Sequence, residues 1–244
     1  MAAVGQLNNV FEPNRRIQLR VSRIGKERTP LVVLDDFLAN PHLLLEHAVW
    51  HNGFRPVSGN LYPGIRAALP RTYMSLLFAC LPEIVLKAFG LGDLDTRRVE
   101  GDFSIVTTPR DDLDLLQCIP HIDTVDPGQI AVLHYLCRPE HGGTAFYRHR
   151  RTGFESVSAA RLPAYEQAID ADLRAFGHPG RNYIYGDTPM FERIANVGAA
   201  FNRLVLYPSM ALHSGSIGPN YRFDADPATG RLTANVFLHF RADR

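Results

Sequence analysis

Phe103-Ser104-Ile105-Val106-Thr107-Thr108 marks the point at which the character of this chain changes. Its alternation has the period of a strand that turns one face to a core. Strand patterns recur downstream: around His121, over Ile130 to Leu136, over Thr144 to His149, at Leu204 to Tyr207 and over Thr233 to Phe240. Within that half only Ser158 to Phe176 reads as helix. Upstream the pattern is mixed. Ile17 to Val21 and Leu31 to Phe37 read as short strands. Asn40-Pro41 opens a helix, because asparagine caps one and proline suits its first turn. Tyr73 to Phe89 reads as a second helix, broken at Pro82 and closed by Gly90. Between the two, Tyr62-Pro-Gly-Ile-Arg66 reads as an ordered loop. Helices and short strands first, then mostly strands, predict a mainly β fold with supporting helices, a barrel or sandwich rather than βαβ units. No break in composition divides residues 1–244, which read as one domain. Residues 1–100 supply supporting strands and helices, and 101–244 supply the β core.

Composition narrows the function classes. Hydrophobic residues make up 45% and charged residues 21% of the 244, enough for a core that needs no staples. A net charge of +1 argues against broad attraction to nucleic acid, and none is expected as a partner. The three cysteines form no CxxC, so neither a disulfide framework nor a thiolate zinc site is expected. The N-terminus lacks a basic stretch followed by an apolar one, and Pro82, Glu83 and Lys87 interrupt the most apolar segment. A cytoplasmic protein with no membrane partner is the expectation. A homodimer stays open.

Pro120-His121-Ile122-Asp123 is the most informative polar element. On a strand, residues two apart point the same way, about 6.5 Å from each other. An imidazole and a carboxylate then converge on one cation while Ile122 packs on the opposite face. His213, between the strand-like Leu204–Tyr207 and the bend Ser214-Gly-Ser216, is the preferred third ligand. Two histidines and a carboxylate form a facial triad that leaves iron with open positions. The competing account is a surface pair that orients a loop. His134, His141, His149, His178 and His239 are rival ligands, with His134 ranked below His213. Farther on, Arg231 and Thr233 share one face of the last strand, and a guanidinium with a hydroxyl can hold a carboxylate. Tyr135 can add a second hydroxyl. A strand-end salt bridge is the plainer account of Arg231. Arg148-His-Arg-Arg151 reads either as attraction for an anionic substrate or as a solvated basic turn. Arg66, Arg71, Tyr183, Tyr185 and Asn202 are candidates to line an entrance.

Five segments, in order, resemble the iron(II)- and 2-oxoglutarate-dependent dioxygenases, particularly the prolyl 4-hydroxylase-like branch and a bacterial group with the same core. They are Pro120-His-Ile-Asp, Leu133-His-Tyr-Leu, Gly142-Gly-Thr-Ala-Phe, Pro208-Ser-Met-Ala-Leu-His-Ser-Gly and Arg231-Leu-Thr. The resemblance covers roughly residues 100–240 and implies a double-stranded β-helix, or jelly roll. It implies that His121, Asp123 and His213 bind Fe(II). It implies that Arg231, helped by Thr233 and Tyr135, pairs with the distal carboxylate of 2-oxoglutarate, and that O2 is the oxidant. Asp123 stands where related halogenases carry a small residue, so hydroxylation of an unactivated C–H bond is implied. The chain departs from the pattern by an insertion near 150–195, which reads as a lid or as scaffold, and by the Asn220–Gly230 excursion, which reads as a hairpin over the pocket. The substrate is expected to be a small molecule or a peptide. Two other classes stay open: a cupin-type metalloenzyme that does not use 2-oxoglutarate, and a non-catalytic binding domain on the same scaffold.

Overall fold

The computed structural model describes residues 11–51, 53–57, 62–92 and 94–241. Along the chain these form β1 (Gln18–Ile24), β2 (Thr29–Asp35), α1 (His42–His51), β3 (Arg55–Pro56), β4 (Gly64–Ala68), α2 (Arg71–Cys80), α3 (Pro82–Phe89) and β5 (Asp95–Val106). There follow β6 (Gln129–Tyr135), β7 (Gly143–His149), α4 (Leu162–Phe176), β8 (Phe191–Gly198), β9 (Arg203–Pro208), β10 (His213–Ser216) and β11 (Leu232–Arg241).

Two sheets dominate. The larger has the order β1-β2-β9-β6-β11-β5-β4-β3 and the smaller β10-β7-β8. Neighbouring strands in both run antiparallel. After β6 the chain crosses to the small sheet for β7 and β8, returns for β9, crosses again for β10 and returns for β11. This winding resembles that of a jelly roll.

The period of two sorts the side chains into layers. On β6, Ile130 and Val132 point outward and join Leu44, Tyr73, Leu77 and Val85 of the three N-terminal helices. Ala131, Leu133 and Tyr135 point inward, toward Phe146 of β7 and Tyr207 of β9. The other face of the small sheet, through Ala145, Tyr147 and Phe191, is covered by Tyr165 and Ile169 of α4.

The helical break at Pro82 is present, as a 47° bend between α2 and α3. Gly90 closes α3 in the left-handed region at φ +66°. No single described helix is long and apolar enough to cross a membrane. Some expectations need correction. Part of the predicted loop at 62–66 is β4, whose Gly64 lies so close to Ile105 that a Cβ would sit 2.0 Å from its carbonyl oxygen. The segment at His121 is extended but joins its neighbour through an isolated bridge and is not a strand of either sheet. The 220–230 excursion forms no hairpin. It is a run of turns in which Asp224 and Asp226 accept the amide N–H groups of Asp226 and Ala228. Its Tyr221 and Phe223 pack with Tyr183.

The 150–195 insertion serves partly as scaffold. It contributes β8 to the small sheet. Its Glu155 is 2% exposed and accepts the amide N–H groups of Lys26 and Glu27, at 2.9 Å each, from the turn joining β1 to β2. Glu155 also takes Arg148 Nε at 2.7 Å. Glu27 in turn accepts Ser156 and Arg161. Removing one member of a buried charged pair costs about 3–5 kcal/mol, because its partner is left without compensation. Glu155→Ala is therefore expected to lower the unfolding free energy by about that amount in urea denaturation. A change within error would show that the clamp contributes no stability.

Candidate metal centre

The turn Leu115–Cys118 is closed by Asp114 and Gln117, each side chain bonding to the other's backbone. The chain leaves it extended through Pro120 and meets the start of β10. There His121 N–H donates to the His213 carbonyl and His213 N–H to the His121 carbonyl, both at 2.9 Å. Asp123 N–H donates to the Ser209 carbonyl at 2.8 Å. Three backbone bonds thus fix the register of the His-Ile-Asp segment against the residues leading into β10. Ile122 turns away and packs beside the α4 layer.

This register brings His121, Asp123 and His213 together. One ligand atom from each lies within 4.8 Å of the other two. Asp123 Oδ1 is 3.8 Å from His121 Nε2, and its Oδ2 is 3.7 Å from His213 Nε2. An ion bonded at about 2.0–2.2 Å to nitrogen and oxygen is reached from these positions by small side-chain rotations. His213 Nδ1 lies 2.9 Å from the Ala211 carbonyl, which requires the proton on Nδ1 and leaves the Nε2 lone pair for a cation. The side chain of His121 keeps 43% of its surface, but that surface opens into a walled cavity, so desolvation still acts on it.

Burial pushes both imidazoles down to about 4, with the neighbouring His213 adding to the effect on His121. Burial pushes the Asp123 carboxyl up to about 6, against the pull of His121 and Arg66. Two neutral nitrogen donors beside an underneutralised carboxylate suit a divalent cation, which takes the place of a proton without needing to displace one from either ring. The set is a 2-His-1-carboxylate site, the facial arrangement that leaves metal positions open.

The cavity holding these residues has a volume of about 570 Å³, within the range of about 300–1,000 Å³ usual for small-molecule sites. Arg231 lies in its wall and is 4% exposed. Its Nε donates to the His141 carbonyl at 3.1 Å and its Nη2 to the Gly143 carbonyl at 2.8 Å. Its guanidinium stands 5.7 Å from the Tyr135 ring centroid. Among the described residues no carboxylate pairs with it. Thr233 and Tyr135 are directly paired across β11 and β6. The Tyr135 hydroxyl is bonded to Thr144 at 2.6 Å, and Thr144 reaches the cavity. The Thr233 hydroxyl donates to the Ser104 carbonyl at 3.3 Å.

Three of the rival histidines are engaged elsewhere. His134 points to the helical layer, between the Tyr73 hydroxyl at 2.9 Å and Asn202 Oδ1 at 3.2 Å. His149 is held between Thr152 and Asp172 beneath α4, and His239 by Glu100. Of the entrance candidates, Arg66 and Tyr183 line the cavity. Asn202 instead supports His134 and Leu38, and Tyr185 is exposed. The Arg148–Arg151 run does not form an anion patch, because Arg148, Arg150 and Arg151 already face Glu155, Asp187 and Asp172. Tyr62, Tyr207 and Asn235 also reach the cavity and were not singled out from the sequence. Asn235 was within reach of the two-residue period, which places it on the face of Thr233.

The class defined by fold and site is therefore a two-sheet β protein with a 2-His-1-carboxylate metal site in a cavity. The chain belongs to the family of unknown function DUF6445, whose model matches residues 15–238. No curated protein matches it. Among solved structures it is similar to SnoK, the non-haem α-ketoglutarate-dependent carbocyclase from nogalamycin biosynthesis, at 12% identity and a TM-score of 0.47 over 87% of this chain and 81% of that one. It is similar to HygX from Streptomyces hygroscopicus, solved with nickel, 2-oxoglutarate and hygromycin B, at 13% identity and 0.44 over 87% and 84%. It is also similar to EctD from S. alaskensis, solved with 2-oxoglutarate and 5-hydroxyectoine, at 13% and 0.41 over 96% and 86%.

The geometry separates two histidines that the sequence sets close in rank. His213→Ala is expected to weaken Fe(II) binding, measured anaerobically by calorimetry, by more than the roughly 10–100-fold that changes beyond the ligand sphere give. His134→Ala is expected to leave Fe(II) affinity unchanged while lowering stability, since it strands Tyr73 and Asn202. Equal losses of metal affinity in the two variants would contradict the assignment.

Proposed function

We propose that this chain is an iron(II)- and 2-oxoglutarate-dependent oxygenase that hydroxylates an unactivated C–H bond of a small organic substrate. The observation that carries the proposal is Arg231. A buried guanidinium with no carboxylate partner is costly, and this one shares a cavity with the metal triad. A dicarboxylate that reaches the metal at one end and Arg231 at the other satisfies both. The segment order noted in the sequence is the ground for placing the chain with the prolyl 4-hydroxylase-like branch.

In this reading His121, Asp123 and His213 hold iron(II). With 2-oxoglutarate and O2, iron supplies the oxidation of the C–H bond, and the co-substrate leaves as succinate and carbon dioxide. The protein's own residues position and exclude. The carbonyls of His141 and Gly143 hold the Arg231 fork in one plane, so its orientation is set before a carboxylate arrives. Tyr135 fixes Thr144 at the cavity wall, and Thr233, bonded across to the Ser104 carbonyl of β5, would back the carboxylate pocket from behind. Tyr207, buried against the His213 ring at 4.7 Å between centroids, keeps water from that side of the triad. The hydrogen bond from His213 Nδ1 to the Ala211 carbonyl holds the ring's tautomer through the cycle.

A cupin-type metalloenzyme would share the triad but would have no use for an unpaired buried arginine. Anaerobic titration with Fe(II) and 2-oxoglutarate separates the two. The wild type is expected to develop a weak visible charge-transfer band only with both ligands present. Arg231→Ala is expected to bind 2-oxoglutarate about 30-fold more weakly or worse, the loss usual when one half of a buried charged pair is removed. His121→Ala is expected to show no band. Iron binding without 2-oxoglutarate binding would favour the cupin-type reading, and a folded wild type that binds neither would overturn both.

A further inference from the structure

Arg231 is not alone in the cavity wall. Arg66, on β4, faces the same space from two strands away. Its Nε–H is buried and has no acceptor. Its nearest carboxylate is Asp102, at 3.9 Å from Nη1 and 43% exposed, the kind of loose surface pair that contributes little. Its guanidinium lies over the Tyr62 ring, 4.8 Å from the centroid, which fixes its plane without neutralising it. It lines the same cavity as Asp123 and His213. The other acid in the wall, Glu100, is already held by Arg98 at 2.7 Å and His239 at 2.9 Å. On β11, Asn235 Oδ1 is buried in the same wall and receives no hydrogen bond. One cavity thus contains a cation whose only ion pair is long and half exposed, and an acceptor lacking a donor.

Charge balance identifies the missing partner. Iron(II) and Asp123 together carry one positive charge, Arg231 a second and Arg66 a third. Dianionic 2-oxoglutarate neutralises two of them. The charge left over is that of Arg66, and the cavity is larger than a five-carbon diacid requires. We propose that Arg66 and Asn235 form the substrate-recognition subsite and that the substrate is an organic carboxylate bearing an N–H or O–H donor, with Arg66 pairing with the carboxylate and Asn235 accepting the donor. This inference rests on the oxygenase reading given above.

The test uses the full chain loaded with zinc(II), which has no redox chemistry, and 2-oxoglutarate. Saturation-transfer NMR then compares phenylacetate, hexanoate and N-acetylvaline with their primary amides. The wild type is expected to prefer each carboxylate by about tenfold or more, as a charge-assisted bond does over a neutral one. Arg66→Gln is expected to abolish that preference and Arg66→Lys to keep part of it. Calorimetric 2-oxoglutarate affinity is expected to hold in both variants. Asn235→Leu is expected to weaken N-acetylvaline more than hexanoate. Equal binding of acids and amides to the wild type, including no binding of either at millimolar concentration, would overturn the proposal. So would a preference that survives in Arg66→Gln. Loss of 2-oxoglutarate affinity in Arg66→Gln would assign Arg66 to the co-substrate and overturn it as well. Failure of the wild type to bind 2-oxoglutarate shows before any acid is added, so the oxygenase reading and the subsite fail separately.

Discussion

The site depends on a pair of backbone hydrogen bonds. His121 and His213 exchange N–H and carbonyl across a single antiparallel bridge, and with it the ladder position of both imidazoles is set. Side chains directly opposite on antiparallel segments stand close together, and here the two rings are 4.4 Å apart. Asp123, two residues on, is fixed by its own bond to Ser209, so its carboxylate returns to the same face. A slip of one residue in that register would turn Ile122 toward the metal and both ligands of the segment away from it. The ligand set is therefore a property of strand register, which side-chain packing alone would not specify.

Register also explains how one sheet carries both a core and a cavity. On β11, Leu232, Ala234, Val236 and Leu238 face the helices, while Thr233, Asn235 and Phe237 belong to the inward face. The outward set buries apolar area under α1 to α3, and that burial is the main source of favourable energy. The inward face is thereby free to hold groups that a core would reject: a buried arginine, an unsatisfied asparagine oxygen and an acid whose carboxyl is pushed up. Such groups cost stability where they stand, and they persist in a fold whose other layers supply it.

Period-two alternation made most strands of the second half legible, because each has one face against an apolar layer. The His-Ile-Asp pair was legible for the same reason, since only a two-residue spacing returns both ligands to one side. β4 and β8 were not. β4 opens at Gly64, after Pro63, and owes its pairing to the close approach that Gly64 permits to Ile105, a tertiary fact. β8 is half exposed, so its pattern is too weak to distinguish it from a loop. His134 shows the limit most clearly. It sits in a β run beside the expected site, and a single residue of phase decides whether it meets the metal or Tyr73. The run Arg148–Arg151 read either as attraction for an anionic substrate or as a solvated basic turn, because the carboxylates that neutralise it come from 155, 172 and 187, a pairing that local sequence does not display.

The electrostatics of the cavity bind these points together. With two imidazoles held neutral and one carboxyl raised, the triad by itself carries little charge, while the walls carry two guanidiniums with few anions to meet them. In a desolvated space that excess is unfavourable, and it grows once a divalent cation binds. Only anionic ligands relieve it. A neutral substrate beside 2-oxoglutarate would leave Arg66 with only its loose Asp102 pair next to a cationic metal, whereas a monoanion would close the balance. The same positive excess would give the proposed site selectivity for acids, because an uncharged analogue would enter without the attraction that draws its carboxylate counterpart in.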